Sequence, residues 1–324
     1  MYLNGINAER ARAQDYKTMV GRFSRRKRDR FWEIDFLRGI CVLLMVFDHF
    51  MYCLWDLMPE INEMLGTSLF ADWRNLAIDY WLWGVRTNVR VVVILTFFLL
   101  CGISCTLTRG NFKRFIPLAL VAAGISAVTS IVNSFIPNTH VRFGVIHMLA
   151  CGVFAYAVFD EAVSAVADVL GKGEKAQKIV RILRYFPALV GAGLLIFLFA
   201  ECADLSFENG VIGLIPLFPQ VAGNAELNNF HSIFVYVQGY VDDFEQISAD
   251  YFPLLPYAAV VLLGGGFGRL IYHTSAKYSF APLDGAWNRG VCTIGRHAAV
   301  IYVAHMVVIP VLLGLFALLT KLII

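Results

Sequence analysis

Residues 36–57 read FLRGICVLLMVFDHFMYCLWDL, an apolar run in which only positions 38, 48, 49 and 56 carry Arg, Asp or His. A helix that crosses the hydrocarbon core of a bilayer needs about 20 mainly apolar residues. The run therefore predicts a membrane-spanning helix. Charged groups are costly inside such a helix, so Arg38, Asp48 and His49 are functional candidates from the outset.

The composition of the whole chain agrees with a membrane protein. The 324 residues are 58% hydrophobic, 14% aromatic and 16% charged, with a mean hydropathy of +0.65. A soluble domain is roughly 45–50% apolar and about 25% charged, so the soluble class is excluded, and the aromatic content excludes intrinsic disorder. The net charge of +3 gives no electrostatic case for nucleic acid.

Six further apolar runs of spanning length follow the first one. The seven predicted spans are 36–57, 89–108, 115–136, 143–163, 186–204, 253–272 and 297–319. The expected fold is an all-α, polytopic helical bundle in which residues 31–324 form a single transmembrane domain behind a basic cytoplasmic arm, 1–30.

Two long segments between the spans are too polar to cross readily. Segment 58–88 holds Trp73, Trp81 and Trp83 among charged residues and predicts an interfacial helix. The acidic segment 205–252 has short apolar pieces, which leaves re-entrant elements, a lid or an eighth span open. Within 253–272, the small-residue spacing of Gly264 and Gly268 predicts close helix packing.

The distribution of Lys and Arg predicts the orientation. With the N-terminus in the cytoplasm, the inside segments hold 21 of these residues and the outside segments five. Positive residues concentrate on the cytoplasmic side of membrane proteins, so the sequence predicts a multi-pass protein of the cell membrane with its N-terminus inside. The bilayer is then its first partner, and a homo-oligomer stays open.

The seven cysteines and seven histidines do not form a recognisable metal-binding pattern. The cysteine count is odd, no CxxC occurs, and most of these residues lie in apolar runs, so we interpret them as small apolar fillers. HxxxH and HExxH are absent, and no metal is expected. Walker A and GxSxG motifs are also absent, so nucleotide hydrolysis and serine-hydrolase chemistry have no support.

Each charged position in a span also has a plain structural interpretation. Asp35 and Arg38 are three residues apart and lie on one helical face, so they could form an ion pair with Arg38 reaching the headgroups. Asp48 and His49 lie deeper, where His49 could act as a general base or be a satisfied core histidine. These alternatives stay open on the residues alone.

Short motifs along the chain resemble one family. Residues 30–39 read RFWEIDFLRG, 45–50 read MVFDHF, 98–104 read FLLCGIS, 142–147 read RFGVIH, 250–256 read DYFPLLP, and 295–297 and 301–305 read GRH and IYVAH. In this order they resemble bacterial membrane proteins related to the heparan-alpha-glucosaminide N-acetyltransferase catalytic domain, and more widely the transmembrane acyltransferases. The resemblance covers residues 30 to about 310.

The resemblance implies transfer of an acyl group, usually acetyl from cytoplasmic acetyl-CoA, to a hydroxyl or amine of an extracytoplasmic glycan or sugar. We expect His49, and second His147, to act as general base or transient acyl carrier, with Asp48 orienting His49. The acceptor side is expected to use Arg90, Arg142, Asp250 and Tyr251, with an arginine stabilising the oxyanion. The donor side is expected to use Asp35, Arg38, Arg109, Arg296, His297 and His305.

Two other functions stay open. One is a transporter in which Asp48, His49 and Asp250 relay protons, although no inverted repeat is evident in the hydropathy. The other is a non-catalytic membrane scaffold.

Overall fold

The computed structural model describes residues 30–108, 110–134, 140–208 and 250–323, and in these ranges the chain is helical apart from turns and one isolated bridge between Phe143 and Tyr251. Most of the predicted arm, Arg109, and nearly all of the acidic segment with its candidate eighth span lie outside these ranges. The helices are α1 Trp32–Tyr52, α2 Met58–Leu65, α3 Ala71–Leu82, α4 Gly84–Leu107, α5 Asn111–Asn133, α6 Val145–Leu170, α7 Glu174–Leu183, α8 Phe186–Glu208, α9 Leu254–Tyr272, α10 Arg289–Arg296 and α11 Ala298–Ile323.

Seven helical segments of the described chain are long and apolar enough to cross a membrane, and each coincides with a predicted span. They are Trp32–Leu65, Gly84–Leu107, Asn111–Asn133, Val145–Leu170, Glu174–Phe197, Leu254–Tyr272 and Ala298–Ile323. The predicted all-α membrane bundle is therefore confirmed. The segments Trp32–Leu65, Val145–Leu170 and Ala298–Ile323 continue past the ends of their apolar runs, because helical hydrogen bonding does not stop at the last apolar residue.

The first span differs most from its predicted end. A π-helical turn, Cys53–Leu57, joins α1 to α2, so the helix continues without a break to Leu65. It ends at Gly66, whose φ of 69° is accessible to glycine at little cost. The predicted interfacial segment 58–88 thus contains the end of this helix, the separate helix α3 and the first turn of α4.

Helix α9 forms the centre of the bundle. Two-thirds of its apolar stretch (67%) is buried, against 6% for α5 and 11% for α11. Glycines permit this close packing, because a β-carbon at Gly264 would collide with the carbonyl of Leu99 on α4, and one at Gly268 would collide with Thr106. The predicted packing role of these two glycines is confirmed.

Helix α9 also packs closely on α8, and the two run antiparallel. Gly191 on α8 faces Ala259 on α9. Ala188 lies one turn earlier on α8, and it faces Gly266, which lies later on α9. Consequently the end of α8 at Glu208 and the start of α9 at Leu254 lie at the same end of the bundle.

A second glycine crossing joins α1 to α10. A β-carbon at Gly39 would meet the carbonyl of Val291, and one at Gly295 would meet the backbone of Asp35. This crossing holds the start of α1 against the segment that leads into α11. The six cysteines with described side chains are free thiols and five of them are buried, as expected of apolar fillers.

Candidate active site

Two histidines from the first and last spanning helices meet inside the bundle. The rings of His49 on α1 and His305 on α11 lie edge to face, with their centroids 4.7 Å apart. His305 is buried, with 5% of its surface exposed, and His49 is half-buried. The sequence suggested both residues as candidates, but it placed His305 on the donor side, away from His49.

Hydrogen bonds to the backbone assign the tautomer of both rings. Nδ1 of His49 lies 3.0 Å from the carbonyl oxygen of Met45, and Nδ1 of His305 lies 3.1 Å from that of Ile301. A carbonyl only accepts, so each Nδ1 carries a proton, and Nε2 is the nitrogen with the lone pair in the neutral ring. Within the described residues, the buried Nε2 of His305 has no hydrogen-bond partner. The pair therefore offers two basic nitrogens at one level of the bundle.

A carboxylate and a phenol extend this cluster. The Tyr302 hydroxyl donates to Oδ2 of Asp250 at 2.9 Å, and the same oxygen accepts from the Val145 backbone N–H at 3.1 Å. The centroids of the Tyr302 and His305 rings are 5.6 Å apart. A β-carbon at Gly144 would collide with the Asp250 carboxylate, so glycine is needed there.

Four motif segments that are distant in the chain thus converge. The segment before α9 also bonds directly to the segment before α6, through the Phe252 N–H and the Phe143 carbonyl at 3.0 Å. The sequence motifs included Tyr302, but sequence reasoning did not select it as a site residue. Its position three residues before His305, and so on the same helical face, was the available signal.

His147 uses both ring nitrogens to close the start of α6. Its Nδ1 accepts from the Gly144 N–H at 3.2 Å, and its Nε2–H donates to the Ser126 hydroxyl oxygen at 2.9 Å. That hydroxyl in turn donates to the Val141 carbonyl at 2.8 Å. These bonds satisfy the N-terminus of the helix and leave the ring without an unused nitrogen.

Asp48 pairs with an arginine and not with its neighbour His49. Its two oxygens accept from Nε and Nη2 of Arg86, each at 2.7 Å, and one also accepts from the Tyr80 hydroxyl at 3.1 Å. Burial raises the pKa of Tyr80 and the charge of Asp48 raises it further, so this phenol stays a donor. The guanidinium of Arg86 lies 3.6 Å from the ring centroid of Trp81.

Sequence reasoning missed the role of Arg86 and selected Arg90 one turn later. Arg86 is 7% exposed, whereas Arg90 and Arg142 are both exposed. Nε of Arg142 lies 3.4 Å from Nδ1 of His140. Spacing alone could not separate Arg86 from Arg90, because residues four apart share one helical face.

The other end of α1 holds a second charged cluster. Asp35 lies 3.3 Å from Nε of Arg296 and 3.9 Å from Nη1 of Arg38. Arg38 also donates to the Ser104 hydroxyl and to the Leu100 carbonyl on α4. The geometry is compatible with a structural ion pair and also with a role in binding the donor, since Asp35 and Arg38 are paired and both side chains face the bundle.

The remaining predicted donor-side residues do not join this cluster as a set. His297 is exposed between α10 and α11, and its Nδ1 bonds to the Thr293 carbonyl at 2.9 Å. Helix α11 begins at Ala298, so His297 lies one residue before the last spanning helix. Arg109 lies outside the described residues. Among the described side chains, no group of three or more His, Cys, Asp or Glu residues could hold a metal ion.

One known family covers all the segments that converge. Residues 30–169 and 182–307 match the family described as heparan-alpha-glucosaminide N-acetyltransferase, catalytic. No curated protein and no solved structure matches the chain. The match covers most of the chain and spans all the motifs that meet around His49 and His305, so the resemblance is confirmed, and the protein belongs to the heparan-alpha-glucosaminide N-acetyltransferase catalytic family.

Proposed function

We propose that this membrane acyltransferase moves an acetyl group from cytoplasmic acetyl-CoA to a hydroxyl or amine of a sugar or glycan on the other side of the membrane. The family relation supports the acyl transfer, and the seven spans support a site inside the membrane. The observation that carries the proposal is the contact between the His49 and His305 rings, whose Nδ1 atoms both bond to backbone carbonyls, where the family motifs converge.

His49 acts as the general base in this proposal. Its Nε2 takes the proton from the acceptor as the acceptor oxygen or nitrogen attacks the thioester carbonyl. The carbon–sulfur bond then breaks and CoA leaves as the thiolate. We choose His49 over His305 because it is the more exposed of the two, and over His147 because both His147 nitrogens are already bonded.

Tyr302 and Asp250 position the second histidine. The bonds from Asp250 to Tyr302 and to the Val145 N–H fix the phenol beside the His305 ring. His305 then provides a second basic nitrogen next to His49 that can share the transferred proton. We propose that the exposed Arg90 and Arg142, together with Tyr251, contact the acceptor. Arg90 lies near the start of α4, and the other two residues precede α6 and α9.

The donor enters at the opposite end of α1. Two arginines, Arg38 and Arg296, share the single carboxylate of Asp35, so the cluster retains a positive charge that complements the phosphates of acetyl-CoA. Asp35 and His49 are fourteen residues apart, which is about 21 Å along a helix. A donor with a long, narrow arm is suited to spanning that distance.

The transport alternative finds less support in the geometry. A proton relay needs carboxylates that can release and recover protons, but Asp48 is held by Arg86 through two bonds and Asp250 by Tyr302 and a backbone N–H. Neither carboxylate contacts His49 in a hydrogen bond between described residues. We therefore place acyl transfer first.

The test is acetyl transfer by the purified full-length protein in lipid nanodiscs. Chromatography would measure CoA release from acetyl-CoA with a hydroxyl sugar or an amino sugar as acceptor. We expect His49→Ala to lower kcat by roughly 10²–10⁴-fold, the usual contribution of a general base. The matched control is His273→Ala, since His273 is exposed and lies on the turn after α9.

The outcomes test the base assignment, the acceptor class and the chemical role of His49 separately. Full activity in His49→Ala would remove the base assignment and leave the family relation intact. Transfer to neither acceptor class, with the protein folded, would count against the glycan acceptor. Incubation without acceptor distinguishes the two chemical roles, because an acetyl group recovered on the His49 peptide identifies a carrier and its absence identifies a general base.

A further inference from the structure

Helix α7 is a short basic helix that forms the beginning of the fifth spanning segment, Glu174–Phe197. It follows α6 after a turn and precedes α8, and Ala176 is its buried residue. Ile179 and Ile182 are 45% and 69% exposed, although they are apolar. A helix with exposed apolar residues and a basic polar face at the end of a bundle is typical of the membrane–water interface.

A groove of about 400 Å³ lies where α7 meets the end of α6. Its lining includes the cations Lys172, Arg181 and Arg184, with Asp168 as the one carboxylate. The Gln177 side chain donates to the Lys172 carbonyl at 3.2 Å and closes one side. The groove therefore carries an excess of two positive charges.

No ion pair between described residues involves these three cations. The basic partners in those pairs are other residues, and Lys178 on the same helix pairs with Glu174 at 3.1 Å. Lys178 and Lys175 do not line the groove. Residues 174–184 thus include one basic pair that lines the groove, Arg181 and Arg184, and another that does not.

Apolar side chains are exposed at the end of α6, next in the chain to the lining residues Ala167, Asp168 and Gly171. Val166, Val169 and Leu170 are 40%, 87% and 42% exposed. In water such exposure would be unfavourable, but at the edge of a bilayer these side chains would contact acyl chains. A free phosphate ion has no apolar part that could contact these side chains.

We propose that this groove binds the phosphate headgroup of an anionic phospholipid, with the acyl chains against the exposed residues of α6 and α7. Lys172, Arg181 and Arg184 hold the phosphate, and Ile182 and Val169 contact the chains. Basic clusters beside membrane helices recognise anionic headgroups in this way. The site is separate from the histidine pair, so the proposal does not depend on the acyltransferase chemistry.

The test uses the full-length protein in mixed micelles with equal amounts of phosphatidylglycerol and phosphatidylcholine. Native mass spectrometry would count the lipids retained by the unchanged protein, by the R181Q/R184Q variant and by the matched control K175Q/K178Q. Both variants remove two positive charges from residues 174–184, and the basic arm, 1–30, is unchanged in all three proteins. We expect R181Q/R184Q to lower the preference for phosphatidylglycerol about tenfold and K175Q/K178Q to keep it.

Equal losses in the two variants would overturn the proposal, because the effect would then reflect net charge alone. Displacement of phosphatidylglycerol by millimolar inorganic phosphate would also overturn it, since the groove would then be a phosphate site. A photoreactive phosphatidylglycerol provides the second measurement, and we expect cross-links within residues 167–184. Melting temperatures of the three proteins distinguish lost binding from lost folding.

Discussion

At the residue scale, Asp48 and His49 of α1 each contact a residue of another helix. Asp48 and His49 are adjacent in the chain, and the expected contact between them does not form, because successive helical residues point about 100° apart. Asp48 instead bonds to Arg86, 38 positions away, and His49 meets His305. Such pairings depend on how helices pack, and no local pattern in α1 encodes them.

The Asp48–Arg86 pair makes a stability prediction. Arg86 is 7% exposed and bonds to both oxygens of Asp48, so Asp48→Ala would leave a buried cation without its counterion. Removing one partner of a buried pair costs about 3–5 kcal/mol. We expect a corresponding loss in the free energy of unfolding, measured by denaturant titration in micelles.

A double variant supplies the control for this prediction. Asp48→Leu with Arg86→Met replaces both charges by apolar groups of similar length, and it should recover most of the lost stability. If the single and double variants were equally unstable, the pair would not be the source of the effect. Equal stability of Asp48→Ala and the unchanged protein would count against a buried ion pair.

At the element scale, apolar run length predicted the spans because the bilayer imposes a minimum helix length. It did not predict where helices end in the polar segments. The first helix continues to Leu65 through the π-helical turn Cys53–Leu57. Helix α7 forms in a charged stretch that does not belong to any predicted apolar run. Glycine spacing did predict a packed surface, since Gly264 and Gly268 lie against α4.

The glycine contacts of α9 make a prediction about packing. Gly264→Ala places a methyl group against the Leu99 carbonyl, so α4 and α9 must separate or distort. Overpacking of this kind costs on the order of 1–3 kcal/mol. The melting temperature should fall, and the rate of acetyl transfer should fall with it if the displacement reaches the histidine pair.

The matched control is Gly124→Ala on α5. Nothing lies within 4 Å of a β-carbon at Gly124. Alanine is the better helix former, so we expect no loss of stability there. Comparable destabilisation in both variants would mean that the effect comes from the helix backbone and not from the crossing with α4.

At the scale of the whole molecule, the near-neutral charge of +3 conceals an asymmetry. The predicted inside segments hold 21 Lys and Arg residues, the predicted outside segments hold five, and Arg38 lies within the first span. Together with the 24 acidic residues, these cations give the net charge of +3. The convergence of the motif segments could not be predicted from their order alone. It arises because α9 and α11 bring Asp250 and Tyr302 to the start of α6.

The asymmetry makes a prediction about topology that the histidine site depends on. If the N-terminus is cytoplasmic, Ser68 after α2 lies outside and Ser275 after α9 lies inside, and both serines are exposed. In intact cells, an impermeant maleimide should label Ser68→Cys, and it should label Ser275→Cys only after permeabilisation. The unchanged chain is the background control, because five of its six described thiols are buried. The opposite pattern would place Asp35, Arg38 and Arg296 on the outer side, where cytoplasmic acetyl-CoA cannot reach them. The donor route proposed along α1 would then fail even if His49 proved essential.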